Sequence, residues 1–254
     1  MNSTASPDKA LLAFLNIMAQ FRHEEADAIY DTIASGYDRF ADHWDRTFAR
    51  PALDALFQRL AEQLPADAKV LDAGCGTGRQ INEYRQHINP AELVGIDKSV
   101  RMLDYARRRF RPAEVPFVQG DIRALPFPDD TFDAVMAIWV LETLSDPQIA
   151  VREFLRVVKP EGIVCYTFVQ IPAEPNAARS TWAQAAPHLP VALAPAHMPF
   201  HHCDRSTLER FRNGLISVVT LGKCCSVDSR LLPTFDQDSS PHVHSTSGKQ
   251  PFSQ

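Results

Sequence analysis

Short apolar runs alternate with helix-periodic stretches through the middle of the chain. The runs fall near residues 69–73, 92–96, 116–118, 132–137 and 162–168 and predict buried strands. Helical spacing separates them near 79–86, 99–110, 121–124 and 147–157. Such alternation predicts an α/β fold, a parallel sheet with helices on both faces, and a ligand outside the carboxyl ends of the strands. Upstream, helical periodicity runs through 10–30, with Leu11, Leu15, Met18 and Phe21 on one face, and again through 50–64. That first face either packs on the domain, covers a pocket or touches a membrane surface. Downstream, residues 171–203 hold Pro172, Pro175, Pro187, Pro190, Pro195 and Pro199, the pattern of a functional loop or a disordered segment. A short helix near 206–212, a turn at Asn213 and Gly214, and a strand over 215–221 follow, with 223–229 as the strand's partner. Past Pro233 the Ser, Gln, His and Pro content predicts a disordered tail.

The most specific stretch is 70–78, where an apolar run ends at Asp72 and glycines stand at 74, 76 and 78. A second apolar run ends at Asp97, twenty-five residues after Asp72. This is the pattern of a strand, a tight turn that lets a ligand approach the backbone, a helix, and a second strand whose terminal carboxylate grips a ribose diol. Arg79 stands where the dinucleotide fingerprint has its last glycine, and the acid at Asp72 would repel a pyrophosphate. A carboxylate there suits an amine-bearing or cationic ligand.

Residues 70–78 resemble the first motif of class I S-adenosylmethionine-dependent methyltransferases. The resemblance continues through 94–99 with Met102, 119–122, 125–133 and 155–162, where Glu161 replaces a usual glycine, and spans roughly 30–170. It implies a Rossmann-like, doubly wound, mostly parallel seven-stranded sheet with an antiparallel C-terminal hairpin. It also implies S-adenosylmethionine as cofactor. Asp72 would take the amino group, and Ala73, Gly74, Cys75, Gly76 and Gly78 would form the close-approach turn. Asp97 and Lys98 would sit at the ribose, Met102, Asp121 and Ile122 at the adenine, and Ile138 past strand four. Residues 30–38 resemble the entry segment of ubiquinone/menaquinone-biosynthesis methyltransferases, which makes Tyr37 either a lid residue or a helix-packing aromatic.

Methyl transfer is an in-line displacement, so alignment of donor and acceptor is the main requirement. A base matters only when the acceptor carries a proton. Glu142, His201 and His202 are the catalytic candidates, with His188 and His197 behind them and Trp139 as an acceptor-side or core residue. The contiguous His201, His202, Cys203 and Asp204 lack the spacing of a chelating loop, so no metal is expected. An Asn-Pro-Pro-Tyr-type tetrad is missing after strand four, which argues against methylation of DNA bases.

Composition narrows this further. With 254 residues, 45% apolar and 22% charged, the chain is long enough for one well-buried α/β domain. A net charge of −5 argues against a general nucleic-acid binder. The local basic run Arg107, Arg108, Arg109 and Arg111 reads as a solvated helix face. Five cysteines without a C-x-x-C pair fit a reducing, cytoplasmic setting. The apolar run 10–21 is too short to span a bilayer and lacks a cleavage site. The expected organisation is a helical cap over 1–45, a cofactor domain over 46–233 with 171–203 as acceptor-side lid, and a tail over 234–254. The expected activity is methyl transfer to a small-molecule or lipid-like acceptor, with no nucleic-acid partner, no stable membrane insertion and an open oligomeric state. The alternatives are a non-catalytic S-adenosylmethionine-binding module and an NAD-dependent oxidoreductase.

Overall fold

The computed structural model describes residues 26–88, 90, 92–169, 204–211 and 216–223. Its centre is a seven-stranded sheet built from β1 (Lys69–Ala73), β2 (Glu92–Asp97), β3 (Phe117–Gln119), β4 (Phe132–Ala137), β5 (Val158–Val169), β6 (Ser206–Phe211) and β7 (Ile216–Gly222). The spatial order is β3-β2-β1-β4-β5-β7-β6. The first five strands run parallel, while β7 pairs antiparallel with both β5 and β6. The chain leaves β1 on one side and returns at β4 on the other, so the topological switch point lies between those two strands.

Strand alternation decides which side chain meets which layer. Along β1, Val70 packs into one core with Leu53, Leu56 and Phe57 of α2 (Arg50–Gln63) and with Ile81 of the short α3 (Ile81–Tyr84). Leu71 and Ala73 face the opposite core, with Phe154 and Val151 of α5 (Pro147–Val157). Asp72 therefore points to the α2/α3 side, where Tyr84 waits. Between β2 and β3 lies α4 (Val100–Arg109), whose N-cap Ser99 accepts from the Met102 amide at 3.1 Å. Upstream, α1 (Ala26–Trp44) passes into α2 through a π-turn, Asp45–Ala49, in which the Arg50 amide donates to the Asp45 carbonyl five residues back. Ile33 and Ala34 of α1 form a small core with Met102.

Three sequence expectations need correction. Residues 206–211 form a strand, not a helix. Its Glu209 and Arg210 look helical in isolation, but β6 is an edge strand, where charged side chains are common and backbone pairing with β7 overrides propensity. The hairpin is consequently β6 with β7, and the strand over 216–222 finds its partners before it in the chain rather than at 223–229. Residues 121–124 make a single turn, closed by the Ala124 amide on the Asp121 carbonyl at 3.0 Å, instead of a helix. The expected N-terminal helix before Ala26, the proline-rich loop 171–203 and the tail lie outside the described residues. Among the described residues no helix is long and apolar enough to cross a membrane, and no cluster of ligands could hold a metal.

Candidate active site

Between β1 and α3 the chain makes a tight turn. Gly74 and Gly76 hold φ of +77° and +53°, a region that favours glycine. At Gly74 a Cβ would stand 2.5 Å from Val140 Cγ2, so the turn abuts the segment after β4. At Gly76 the nearest atom would be Tyr37 Cε1 at 4.0 Å, which leaves open space over the backbone. The turn is tied to β2: Gly74 and Cys75 amides donate to the Ile96 carbonyl at 2.8 and 3.0 Å. The Gly76 amide donates to Asp97 Oδ2 at 2.8 Å, and the Ser99 amide to Asp97 Oδ1 at 2.9 Å. Burial pushes the Asp97 carboxyl up, against these amides, which favour its charged form.

A cleft of about 730 Å3, its open mouth included, runs across the carboxyl ends of β1, β2 and β4. Asp97, Lys98, Met102, Asp121 and Ile122 line one side, and Tyr30 and Tyr37 of α1 the other. Both Asp121 oxygens accept from the Arg123 guanidinium, at 3.0 and 2.7 Å, and that pairing holds its carboxyl below the usual range. Lys98 Nζ lies 3.6 Å from Asp27 and 4.0 Å from Asp121.

A second, smaller cavity adjoins it, lined by Asp72, Cys75, Thr77, Arg79 and Gln80. The two share Tyr37, Gly74, Gly76, Ile138 and Trp139. Asp72 is 3% exposed and accepts from the Tyr84 hydroxyl at 2.7 Å; burial pushes its carboxyl up to about 7. Arg79 bridges Asp42, at 3.0 Å, and the buried Asp45 of the π-turn, which also accepts from Gln80 Nε2 at 2.8 Å.

The segment after β4 completes the site. Trp139 takes φ +55°, unusual for a bulky residue, while its amide donates to Thr167 Oγ1 at 2.9 Å. Its ring meets Trp44 edge-on at 5.9 Å. A 3-10 turn, Leu141–Thr143, buries Glu142, whose carboxyl burial pushes up to about 8.

Of the residues singled out from sequence, Tyr37, Asp72, Gly74, Cys75, Gly76, Asp97, Lys98, Met102, Asp121, Ile122 and Ile138 line one cavity or both. Ala73 and Gly78 do not. Ala73 is fully buried in the core, and Gly78 packs against Phe110 and Ala106 of the next helical layer. Glu142 lies behind the lining; burial raises the Tyr30 and Tyr37 hydroxyls, and the nearby Glu142 carboxylate adds to that rise. His201 and His202 lie outside the described residues. Sequence reasoning missed Tyr30, Gln80 and the binding-side position of Arg79. The signal for Arg79 was its place one step past the glycines, and that for Tyr30 its place at the head of the 30–38 segment; Gln80 carried none.

Residues 71–166 match a family model described as a methyltransferase domain. The chain is 33% identical to the malonyl-[acyl-carrier protein] O-methyltransferase of Halorhodospira halophila over 61% of its own length and 51% of that protein. It is 35% identical to the demethylmenaquinone methyltransferase of Renibacterium salmoninarum, over 56% of its length and 57% of that protein. The chain thus spans about half the length of the curated relatives it matches. A solved S-adenosylmethionine-dependent methyltransferase from Thermotoga maritima shares the fold, with a TM-score of 0.52 at 18% identity over 78% of this chain and all of that one. The central segment, residues 71–166, thus matches a methyltransferase domain on the fold that the solved methyltransferase shares.

Proposed function

We propose that the protein transfers a methyl group from S-adenosylmethionine to a small-molecule or lipid-like acceptor. The observation that carries this reading is the pair of adjoining cavities meeting at Tyr37, Gly74, Gly76, Ile138 and Trp139. The larger offers Asp97 to a ribose diol, an apolar Met102 and Ile122 to a purine, and Lys98 and Asp121 at its edge. The smaller offers Asp72 to an amino group, beside the Cys75 turn, with Ala73 and Gly78 supporting from behind. The donor set fits an adenosyl amino acid, whereas a pyrophosphate would face the Asp72 carboxylate; this disfavours the NAD-dependent alternative.

When bound, S-adenosylmethionine supplies a methyl group on a positively charged sulfur, so the protein's task is alignment and exclusion of water. Tyr37 and Trp139 flank the junction where that chemistry would fall. Glu142 is the base candidate on chemistry, for an acceptor hydroxyl or amine, although its carboxyl is buried behind the cavity lining. His201 and His202 are further candidates on chemistry alone. Residues 1–45 and 171–203 close the acceptor side of a cofactor domain spanning 46–233, and 234–254 is a tail. The names of relatives acting on malonyl-[acyl-carrier protein], demethylmenaquinone and, in Mycolicibacterium smegmatis, a fatty acid support the acceptor class. The net charge of −5 favours such an acceptor over nucleic acid, and five cysteines without a C-x-x-C pair support a cytoplasmic setting. Calorimetry with S-adenosylhomocysteine and NAD tests the cofactor. A screen of acceptors following S-adenosylhomocysteine release tests catalysis, and turnover of none of them would favour the non-catalytic binding module.

A further inference from the structure

α1 borders both cavities: Ala26, Asp27, Tyr30 and Tyr37 line the larger, and Tyr37 also lines the smaller. Yet little apolar surface holds this helix down. Of its 19 residues only Ile33, Ala34 and Ala41 are buried, whereas the 14-residue α2 buries Ala52, Leu53, Leu56, Phe57 and Leu60. The buried partner of Ile33 and Ala34 is Met102, itself a lining residue of the larger cavity.

The hold is polar instead. Each of the four aspartates of α1 has a partner on an element that borders the cavities. Asp27 lies 3.6 Å from Lys98 Nζ. Asp31 accepts from the Ser99 hydroxyl and, at 3.1 Å, from the Arg101 amide. That seats it on the N-terminus of α4, where a negative charge is favoured. Asp38 accepts from the Thr77 hydroxyl and pairs with Arg109 at the far end of the same helix. Asp42 accepts from Arg79 at 3.0 Å. Exposure separates these contacts from the one at the π-turn. Asp38 and Arg109 are each 32% exposed, so dissolved salt screens them. Arg79 and Asp45 are 14% and 6% exposed, and salt reaches that pair far less.

We propose that α1 is an ionically latched cover, hinged at the π-turn, and that loss of the Asp31 and Asp38 contacts releases it to let cofactor in and out. Neither aspartate lines a cavity, so both act on a ligand only through the placement of Tyr30 and Tyr37. They stand seven residues apart, about 10 Å along the helix, and grip the two ends of α4. The buried Arg79–Asp45 pair keeps its grip on release and marks the fixed end. The inference rests on the cofactor reading above and adds what sets the rate of cofactor exchange, the ionic strength around α1.

Two measurements on the full chain test this. In the ligand-free protein, hydrogen exchange is followed as sodium chloride rises from about 0.1 M to about 1 M, which shortens the screening length from about 10 Å to about 3 Å. A helix released from its packing is marginal alone, so amides over 27–38 should exchange about 10-fold faster at high salt while those of β1 hold still. Asp31→Asn combined with Asp38→Asn should bring that fast exchange to low salt. Stopped-flow tryptophan fluorescence gives the dissociation rate of S-adenosylhomocysteine. It should rise about 10-fold with salt in the parent, and in the double variant be fast throughout and lose most of its salt dependence. Salt-insensitive exchange over 27–38 in the parent, or a salt response in the double variant equal to the parent's, overturns the latch. If the double variant does not fold, the parent's salt response in both measurements decides. If the parent binds no S-adenosylhomocysteine, the cofactor reading falls, and the ligand-free exchange still decides the latch.

Discussion

The Gly76 amide and the Asp97 carboxylate are joined by a 2.8 Å hydrogen bond across two neighbouring strand ends. The same carboxylate accepts from Ser99 through its other oxygen, so one side chain fixes both the glycine turn and the start of α4. A residue chosen from sequence as a ribose clamp is therefore also part of the scaffold.

Asp97→Ala should then do two things. Loss of two amide contacts to a charged acceptor should cost on the order of 2–4 kcal/mol of stability, lowering the melting temperature by roughly 4–12 °C. Affinity for S-adenosylhomocysteine should also fall by more than about 10-fold. Thermal denaturation without ligand, followed by calorimetry, checks both; an unchanged melting temperature would mean the turn holds without Asp97.

Glu142 gives a pH prediction with a definite sign. Burial lifts its carboxyl from 4.5 to about 8, so the unfolded chain ionises first as pH rises. Its contribution is fully present below about 4.5 and is lost as pH climbs toward 8. The loss is on the order of 3–5 kcal/mol at most. Glu142→Gln should flatten that part of the stability–pH curve in chemical denaturation.

Much of the fold could be read in advance because the parallel strands are continuous apolar runs, and their ends at Asp72 and Asp97 mark the ligand side. The edge strand β6 could not. Ser206, Thr207, Glu209 and Arg210 have no buried face to impose period-two alternation, and only pairing with β7 makes them a strand. The site divides in the same way. Glycines and acids at strand ends announce themselves locally, whereas Gln80 and Tyr30 matter through contacts made by a helix far away in sequence.

Arg79 and Asp45 should behave as a coupled pair. Arg79→Leu leaves the Asp45 carboxylate buried without its guanidinium, a loss of about 3–5 kcal/mol. Adding Asp45→Asn removes the stranded charge and should recover a large part of that stability. A double-mutant cycle in urea reads the coupling; additive losses would show that the two act independently.

Gly74→Ala should be destabilising for two separable reasons, the left-handed backbone and the overlap with Val140. Together they should cost on the order of 2–4 kcal/mol. Val140→Ala in the same chain should relieve the overlap but not the backbone term, so rescue measured by chemical denaturation should be partial. Full rescue would show that the positive φ costs nothing here.

The π-turn between α1 and α2 sets an angular phase as well as a path. Each residue of an α-helix advances the side chains by about 100° around the axis. The turn at Asp45–Ala49 widens the coil before α2 begins, and so fixes which side of α1 looks at the sheet. Shortening this stretch by one residue would keep the helix and its composition intact while swinging Tyr37 off the junction it now flanks and Tyr30 off the larger cavity. The length of this segment, independent of what its side chains are, is thus itself a determinant of whether the two cavities meet under an aromatic roof.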